Sequence, residues 1–244
     1  MIPKIIHYCW FGGKPKPKLV ERCIASWKHY CPDYQIIEWN ETNFDIDNCD
    51  YTKFCYENKR FAYLSDYVRL WAVLQKGGIY FDTDVELIKT PDDLLKNGAF
   101  FGFEGTEFIN TGIGFGALAG HWAVTEMLNL YRKKTVEELQ QSLDVYNCLT
   151  GSPKINTYAM TPHGLVQNGE KQQIGDTVFL PQDYLCPFDD QTGELHRTEN
   201  TISIHWYGKS ANTKYAAMRS RLLRPIKRLI KRVRRKVDEY TGAN

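Results

Sequence analysis

No stretch of this 244-residue chain holds the ~18 apolar residues in a row that a membrane-crossing helix needs. No Cys-x-x-Cys pair occurs either. The seven cysteines (Cys9, Cys23, Cys31, Cys49, Cys55, Cys148 and Cys186) are odd in number and scattered. That argues against a disulfide framework and against a zinc site, and for a reducing compartment where buried thiols are the default. Internal repeats and low-complexity linkers are missing, so the length fits one globular domain with enough chain to bury a core. A strong overall charge is missing too, with 31 Lys and Arg against 29 Asp and Glu. With no recognition motif to set beside that balance, nucleic acid is not an expected partner.

What the chain does hold is a pair of carboxylates in an unusual setting. The run Gly77-Gly78-Ile79-Tyr80-Phe81-Asp82-Thr83-Asp84-Val85 is apolar and strand-like, and it ends in two acids one residue apart. In a strand, residues i and i+2 point to the same side, so Asp82 and Asp84 converge. Two neighbouring carboxylates repel, and a divalent cation relieves them. An all-oxygen pair with few protein ligands suits Mg²⁺ or Mn²⁺, which keep other positions for water and substrate phosphates. Just upstream, apolar residues at 64, 67/68, 71 and 74 fit a helix with one buried face, ended by Gly77 and Gly78. Asp66 and Arg69, three apart, share a face of that helix.

Strand and helix signals alternate along the chain. Strands are expected near 3–10, 34–39, 79–82, 85–88, 100–103, 108–115 and 201–206. Helices are expected near 17–30, 51–58, 61–76, 121–132, 135–142 and 145–160. Alternation of this kind predicts an α/β sheet layered with helices.

The order Ser65, Asp66, Arg69, the Gly pair and Tyr80-Phe81-Asp82-Thr83-Asp84 resembles the D-x-D sugar-nucleotide glycosyltransferases of family 32. That family includes Och1-like mannosyltransferases and bacterial capsular polysaccharide enzymes, and it is related to the glucosyltransferase domain of large clostridial toxins. The opening, Ile2-Pro3-Lys4-Ile5-Ile6-His7-Tyr8-Cys9-Trp10-Phe11-Gly12-Gly13, resembles the family's first strand and Trp-x-Gly turn. The likeness is dense from residue 2 to about 118 and patchy beyond. It implies a GT-A fold, a Rossmann-like nucleotide-sugar-binding sheet, and a retaining, metal-dependent hexosyltransferase. Such an enzyme would move a hexose or N-acetylhexosamine from a nucleotide sugar, UDP-linked by preference, to a cell-surface glycan or lipid-linked oligosaccharide.

The same resemblance assigns residues. Asp82 and Asp84 would hold Mn²⁺ or Mg²⁺, with His205 as a third ligand. Asp66 and Arg69 would contact the donor sugar and its phosphate. Trp10 would stack on the base, Asn43 would reach the base or ribose, and Ser65, Tyr80 and Asn110 would line the donor pocket. Lys209 and Ser210, in His205-Trp206-Tyr207-Gly208-Lys209-Ser210, would touch phosphate, although the Trp that often follows this Ser is Ala211 here. His7 reads better as a satisfied core residue. A phosphohydrolase of the Asp-x-Asp-x-Thr/Val type is a poorer reading because position 86 is Glu, and a non-catalytic sugar-nucleotide-binding protein is the remaining rival.

The expected domain runs over 1–212, followed by a basic amphipathic C-terminal helix over 213–244. Residues 219–244 hold ten Lys and Arg against Asp238 and Glu239, with Leu222, Leu223, Ile226, Leu229, Ile230, Val233 and Val237 recurring every three to four positions. A helix of this kind either lies on an anionic membrane surface, the favoured reading with contact expected over 219–240, or packs its apolar stripe on the protein's own core or in an oligomer with the basic face in water. Because Golgi relatives carry an N-terminal anchor and none is seen here, the expected location is cytoplasmic, peripheral on the inner face of a bacterial plasma membrane.

Overall fold

A computed structural model describes residues 1–208. The chain runs through β1 (Ile5–Cys9), α1 (Lys18–Tyr30), β2 (Gln35–Trp39), α2 (Asp50–Glu57), α3 (Phe61–Lys76), β3 (Gly78–Tyr80) and β4 (Val85–Leu87). It continues with β5 (Ala99–Glu104), β6 (Phe108–Ile109), β7 (Phe115–Ala117), α4 (Trp122–Arg132), α5 (Val136–Tyr146) and α6 (Ser152–Met160). The last described part holds β8 (Gln172–Ile174), β9 (Thr177–Leu180), a single helical turn α7 (Gln182–Leu185), β10 (Phe188–Asp189), β11 (Glu194–Leu195) and β12 (Ser203–His205).

The main sheet has the order β2-β1-β3-β7-β5-β9-β8, with β6 beside β5. Strands β2, β1 and β3 are mutually parallel, as are β5 and β9, while β7 and β8 run against their neighbours. This is the mixed α/β sheet that the alternation predicts. Its two faces carry separate apolar clusters. On β1, Ile6 and Tyr8 face one cluster and Cys9 the other; on β5, Phe100 opposes Phe101 and Phe103. That is the period-two alternation of a sheet buried on both sides.

Local chemistry explains the elements that matter most. Helix α1 starts after Pro17 and buries Val20, Cys23 and Trp27 on one stripe, with the Trp27 indole N–H donating to the Val85 carbonyl at 2.8 Å. Helix α3 ends at Gly77, whose φ of +66° lies in the left-handed region. A Cβ there would stand 2.9 Å from the Pro3 ring and 3.0 Å from the Ala119 nitrogen, so glycine is needed for conformation and for space.

Three features depart from expectation. Helix α3 is not buried on one face only. Leu64, Tyr67, Val68, Leu70, Ala72 and Val73 are buried together with Asp66 and Arg69, because the helix sits between β1 on one side and α2 and α4 on the other. The break between the helices expected over 135–142 and 145–160 falls later than the sequence suggests: α5 runs to Tyr146, Asn147 turns left-handed (φ 51°), and α6 begins at Ser152 with Pro153 in its first turn. The strands between 172 and 195 are additional. Among them β9 is fully buried, a short continuous run closed by Pro181. The boundary expected at 212 and the basic helix over 213–244 lie outside the described residues.

His7 is the core histidine that the sequence suggests. It is fully buried; the Trp39 indole N–H donates to its Nδ1 at 3.1 Å, and its Nε2 lies 2.8 Å from the Gly77 carbonyl. An indole only donates and a carbonyl only accepts, so the ring is neutral with its proton on Nε2. Burial pushes its pKa down to about 4, although the Gly77 carbonyl works in the other direction. The unfolded chain therefore takes up this proton near pH 6.5 and the folded chain only near 4. Between those limits about 3 kcal/mol of stability is lost as pH falls, and below them the loss levels off. His7→Gln, whose amide can accept and donate in the same places, is expected to remove that component; urea denaturation of both proteins at stepped pH measures the difference.

Candidate active site

The carboxylate pair lies where β3 leaves the sheet. The Asp82 backbone N–H donates to the Gly112 carbonyl at 3.0 Å, and the Val85 N–H returns to the Asp82 carbonyl at 3.0 Å, so residues 82–85 form a tight turn into β4. That turn carries Asp82 and Asp84 into one cluster with His205, whose ligand atoms all lie within 4.8 Å of one another. His205 comes from the far end of the described chain. Strand β12 pairs antiparallel with β4 and sets His205 opposite Val85. The Trp206 N–H then donates to the Asp84 carbonyl at 3.0 Å, and the Gly208 N–H to Asp84 Oδ2 at 2.6 Å.

Asp82 is held from the other side by α3. Arg69, 4 % exposed, places Nη2 3.0 Å from Asp82 Oδ1 and 3.0 Å from Asp66 Oδ1. Its Nη1 reaches Thr111 Oγ1 at 3.4 Å, its Nε donates to the Ser65 carbonyl at 3.2 Å, and its guanidinium lies 5.0 Å from the centre of the Tyr80 ring. The Tyr80 hydroxyl donates to Asp82 Oδ1 at 2.8 Å. Gly112 makes room for all of this, since a Cβ there would stand 2.2 Å from Asp82 Oδ2 and 3.1 Å from Arg69 Nη1.

These contacts set an electrostatic asymmetry. Burial raises the Asp66 pKa to about 6, with Arg69 opposing and Asp82 adding to the rise. Burial likewise raises Asp82, against Arg69 and with help from Asp84. Burial also works against an ionised Asp84, yet the hydrogen bond from His205 Nε2 at 3.2 Å and the Gly208 N–H hold its carboxyl below the usual range. Burial alone would lower His205, but its bond to Asp84 holds it well above an ordinary imidazole. Three carboxylates thus face one guanidinium and one imidazole, and the cluster keeps an excess of negative charge. The donor set of two carboxylates and an imidazole fits a divalent cation.

The sequence-assigned residues fall into three groups. Asp66, Arg69, Tyr80, Asp82, Asp84 and His205 are brought into one connected network. Asn110 joins it at one remove: its carbonyl accepts from the Gly112 N–H at 2.7 Å and its amide donates to Glu104 at 2.9 Å, which shapes the bend that carries Gly112. Ser65 contributes its backbone carbonyl to Arg69, while its hydroxyl donates one turn back to Phe61 at 2.9 Å. Trp10 and Asn43 stand apart from this network. The half-buried Trp10 donates to the Lys14 carbonyl at 2.7 Å with Lys16 5.7 Å from its ring centre, and the Asn43 amide closes its own turn on Asn40 and Glu38. Lys209 and Ser210 lie outside the described residues.

Some participants escape a reading of the sequence. Ser152, at the first turn of α6, lies 3.5 Å from Arg69 Nη1 and also hydrogen-bonds Asp66. Thr111 links Arg69 to Asn156, and Glu104 ties Asn110 to the Tyr207 hydroxyl at 2.6 Å. Only Gly151-Ser152-Pro153 carries a local signal, that of a helix start.

Residues 17–101 match the profile of the glycosyltransferase sugar-binding region containing the DXD motif. The matched stretch includes Asp66, Arg69, Asp82 and Asp84. Over 106 residues it is 33 % identical to inositol phosphoceramide mannosyltransferase 3 of Schizosaccharomyces pombe, a match that spans 41 % of this chain and 29 % of that protein. It thus covers under a third of the curated relative's length. Among solved structures, the PaToxG glycosyltransferase aligns over 66 % of this chain and 69 % of its own at 19 % identity and a TM-score of 0.49. A glycosyltransferase involved in glycosylation of the major capsid of PBCV-1 aligns over 91 % and 98 % at 13 % identity and a TM-score of 0.44.

Removal of the Arg69 charge leaves Asp66 and Asp82 buried without their partner. Arg69→Met is expected to destabilise the fold by about 3–5 kcal/mol in urea denaturation. Adding Asp66→Asn to that variant is expected to recover part of the loss, since one of the stranded charges is gone. Equal stability of the single and double variants would contradict this account.

Proposed function

We propose that the chain is a retaining, metal-dependent glycosyltransferase that moves a hexose or N-acetylhexosamine from a nucleotide sugar, UDP-linked by preference, to a cell-surface glycan or lipid-linked oligosaccharide. The observation that carries this reading is the convergence of Asp82, Asp84 and His205 from two distant segments of the described chain. The family match over residues 17–101 supports it independently.

Mn²⁺ or Mg²⁺ bound by Asp82, Asp84 and His205 would neutralise charge on a departing nucleoside diphosphate. The protein's own groups do the rest. Arg69 and Tyr80 fix the Asp82 carboxylate in one orientation, so the pair is set before any ligand arrives. The Gly208 N–H and His205 do the same for Asp84. Asp66, buried beside Arg69, balances the guanidinium, and the donor-sugar hydroxyls are its proposed partners. The Trp10 ring, flanked by Lys16, offers a base a flat face beside a positive charge. Lys209 and Ser210, which the resemblance assigns to phosphate, lie outside the described residues.

The phosphohydrolase alternative asks Asp82 to attack phosphorus. Its Oδ1 already accepts from Tyr80 and Arg69, and Arg69 Nη2 lies 3.3 Å from Oδ2, which weighs against a free nucleophile. The membrane reading rests on the basic run over 219–240, as does the placement on a bacterial inner face.

Nucleoside-diphosphate release from a panel of UDP- and GDP-sugars with Mn²⁺ tests the proposal. One donor is expected to be turned over slowly, with Asp84→Ala or chelation lowering the rate by roughly 100-fold or more. Release of inorganic phosphate or sugar phosphate instead would move the chain to the phosphohydrolases. Saturable binding of one donor without release, even with acceptor glycans supplied, would make it a binding protein.

A further inference from the structure

His205 has two ring nitrogens, and the carboxylate site uses one. Nε2 lies 3.2 Å from Asp84 Oδ1. Nδ1 is buried and makes no hydrogen bond, although the residue is only 8 % exposed. A buried nitrogen with no partner is costly unless something else takes it up. The ring's next polar neighbour is the Cys186 thiol, itself fully buried at the end of α7. Glu104, at the end of β5, completes a second cluster: one ligand atom each from Glu104, Cys186 and His205 lies within 4.8 Å of the others. With Nε2 committed to Asp84, Nδ1 is the ring atom left to face that cluster.

We propose that Glu104, Cys186 and His205 form a second cation site, for a thiophilic divalent ion such as Zn²⁺. The donor set of thiolate, imidazole and carboxylate is one that Zn²⁺ accepts in tetrahedral geometry, with a fourth position left for water. Mg²⁺ and Mn²⁺ favour the carboxylate pair on the other side of the ring over a thiolate, so the two sites select different ions. No Cys-x-x-Cys spacing announces this one, because its three ligands come from β5, α7 and β12 and meet only in the fold. Tyr207 now guards it. The tyrosine hydroxyl donates to Glu104 at 2.6 Å, lies 3.2 Å from the Cys186 sulfur, and belongs to a residue in the left-handed region at φ 49°.

Binding exchanges protons for the ion. The Cys186 thiol proton and any proton on His205 Nδ1 pass to solvent, the Tyr207 hydroxyl leaves Glu104, and Nε2–H stays on Asp84. His205 then has no lone pair to offer the carboxylate pair. Zn²⁺ would thus act against Mn²⁺, a consequence that rests on the proposed reading of Asp82 and Asp84.

Cobalt reports the site without any activity assay. Titrating the purified chain with Co²⁺ is expected to raise a near-ultraviolet thiolate-to-cobalt band and visible bands of a four-coordinate ion, both displaced by Zn²⁺. Cys186→Ser is expected to lose the thiolate band, and Glu104→Gln to weaken binding about tenfold or more. Tyr207→Phe, which removes the competing hydroxyl and keeps all three ligands, is expected to bind more tightly. Zn²⁺ is expected to raise the Tm of the wild type and leave that of Cys186→Ser unchanged. Absence of the band in folded wild type, or a band unaltered by Cys186→Ser, would overturn the proposal. A cobalt–thiolate band in a protein that binds no Mn²⁺ would uphold this site and remove the carboxylate-pair reading; Mn²⁺ binding with no such band would do the reverse.

Discussion

The guanidinium of Arg69, buried between Asp66 and Asp82, is the constraint on which the rest of the site depends. A charged side chain only 4 % exposed is stable there because two carboxylates meet it at 3.0 Å each and neutral groups take its remaining donors. The cost of burying it is offset only while those partners stay in place. That is why the surroundings are so tightly specified: Gly112 has no space for a Cβ, Tyr80 adds a second bond to Asp82, and Ser152 closes the far side of Asp66. Asp82 is a fixed part of the protein's interior rather than a mobile surface acid. A cation site built on it starts from a carboxylate whose direction is already set.

The second half of the site is assembled by topology. Asp84 lies past the end of the sheet, and left alone it would be the solvated turn residue that acidic pairs often are. The pairing of β12 with β4 changes that, because it returns the chain from residue 205 to within hydrogen-bond distance of Asp84. One carboxylate is therefore oriented by a helix and the other by a returning strand. Their opposite electrostatic tendencies, Asp82 raised by burial and Asp84 lowered by His205 and Gly208, follow from that division of labour.

Much of this could be read before any coordinates. The Gly pair after an apolar helical period located the end of α3, and two acids at i and i+2 after a strand-like run located the pair. His7 was legible as core because a single histidine in an apolar strand has more ways to be satisfied inside than to act. What the sequence did not disclose is mostly contact between distant segments. Nothing local marks Thr111 or Ser152 as neighbours of Arg69 or Glu104 as a partner of Asn110, and a helical period cannot tell whether Asp66 and Arg69 face water or a second layer of helices. The break between α5 and α6 is expected near 143–144 and falls instead at Asn147–Gly151, because apolar periodicity outweighs those two residues in the sequence. The buried strand β9 was missed because its four residues show no alternation.

The central claim is that Asp82, Asp84 and His205 hold a divalent cation beneath a nucleoside diphosphate. Anomalous diffraction at the manganese edge, from crystals grown with Mn²⁺ and UDP, addresses it most directly. The account requires a peak within coordination distance of Asp84, with the diphosphate on its open side and the Arg69 contacts to Asp66 and Asp82 preserved. A diphosphate bound with no peak there, or manganese held elsewhere while Asp84 keeps only His205 and Gly208, would contradict it.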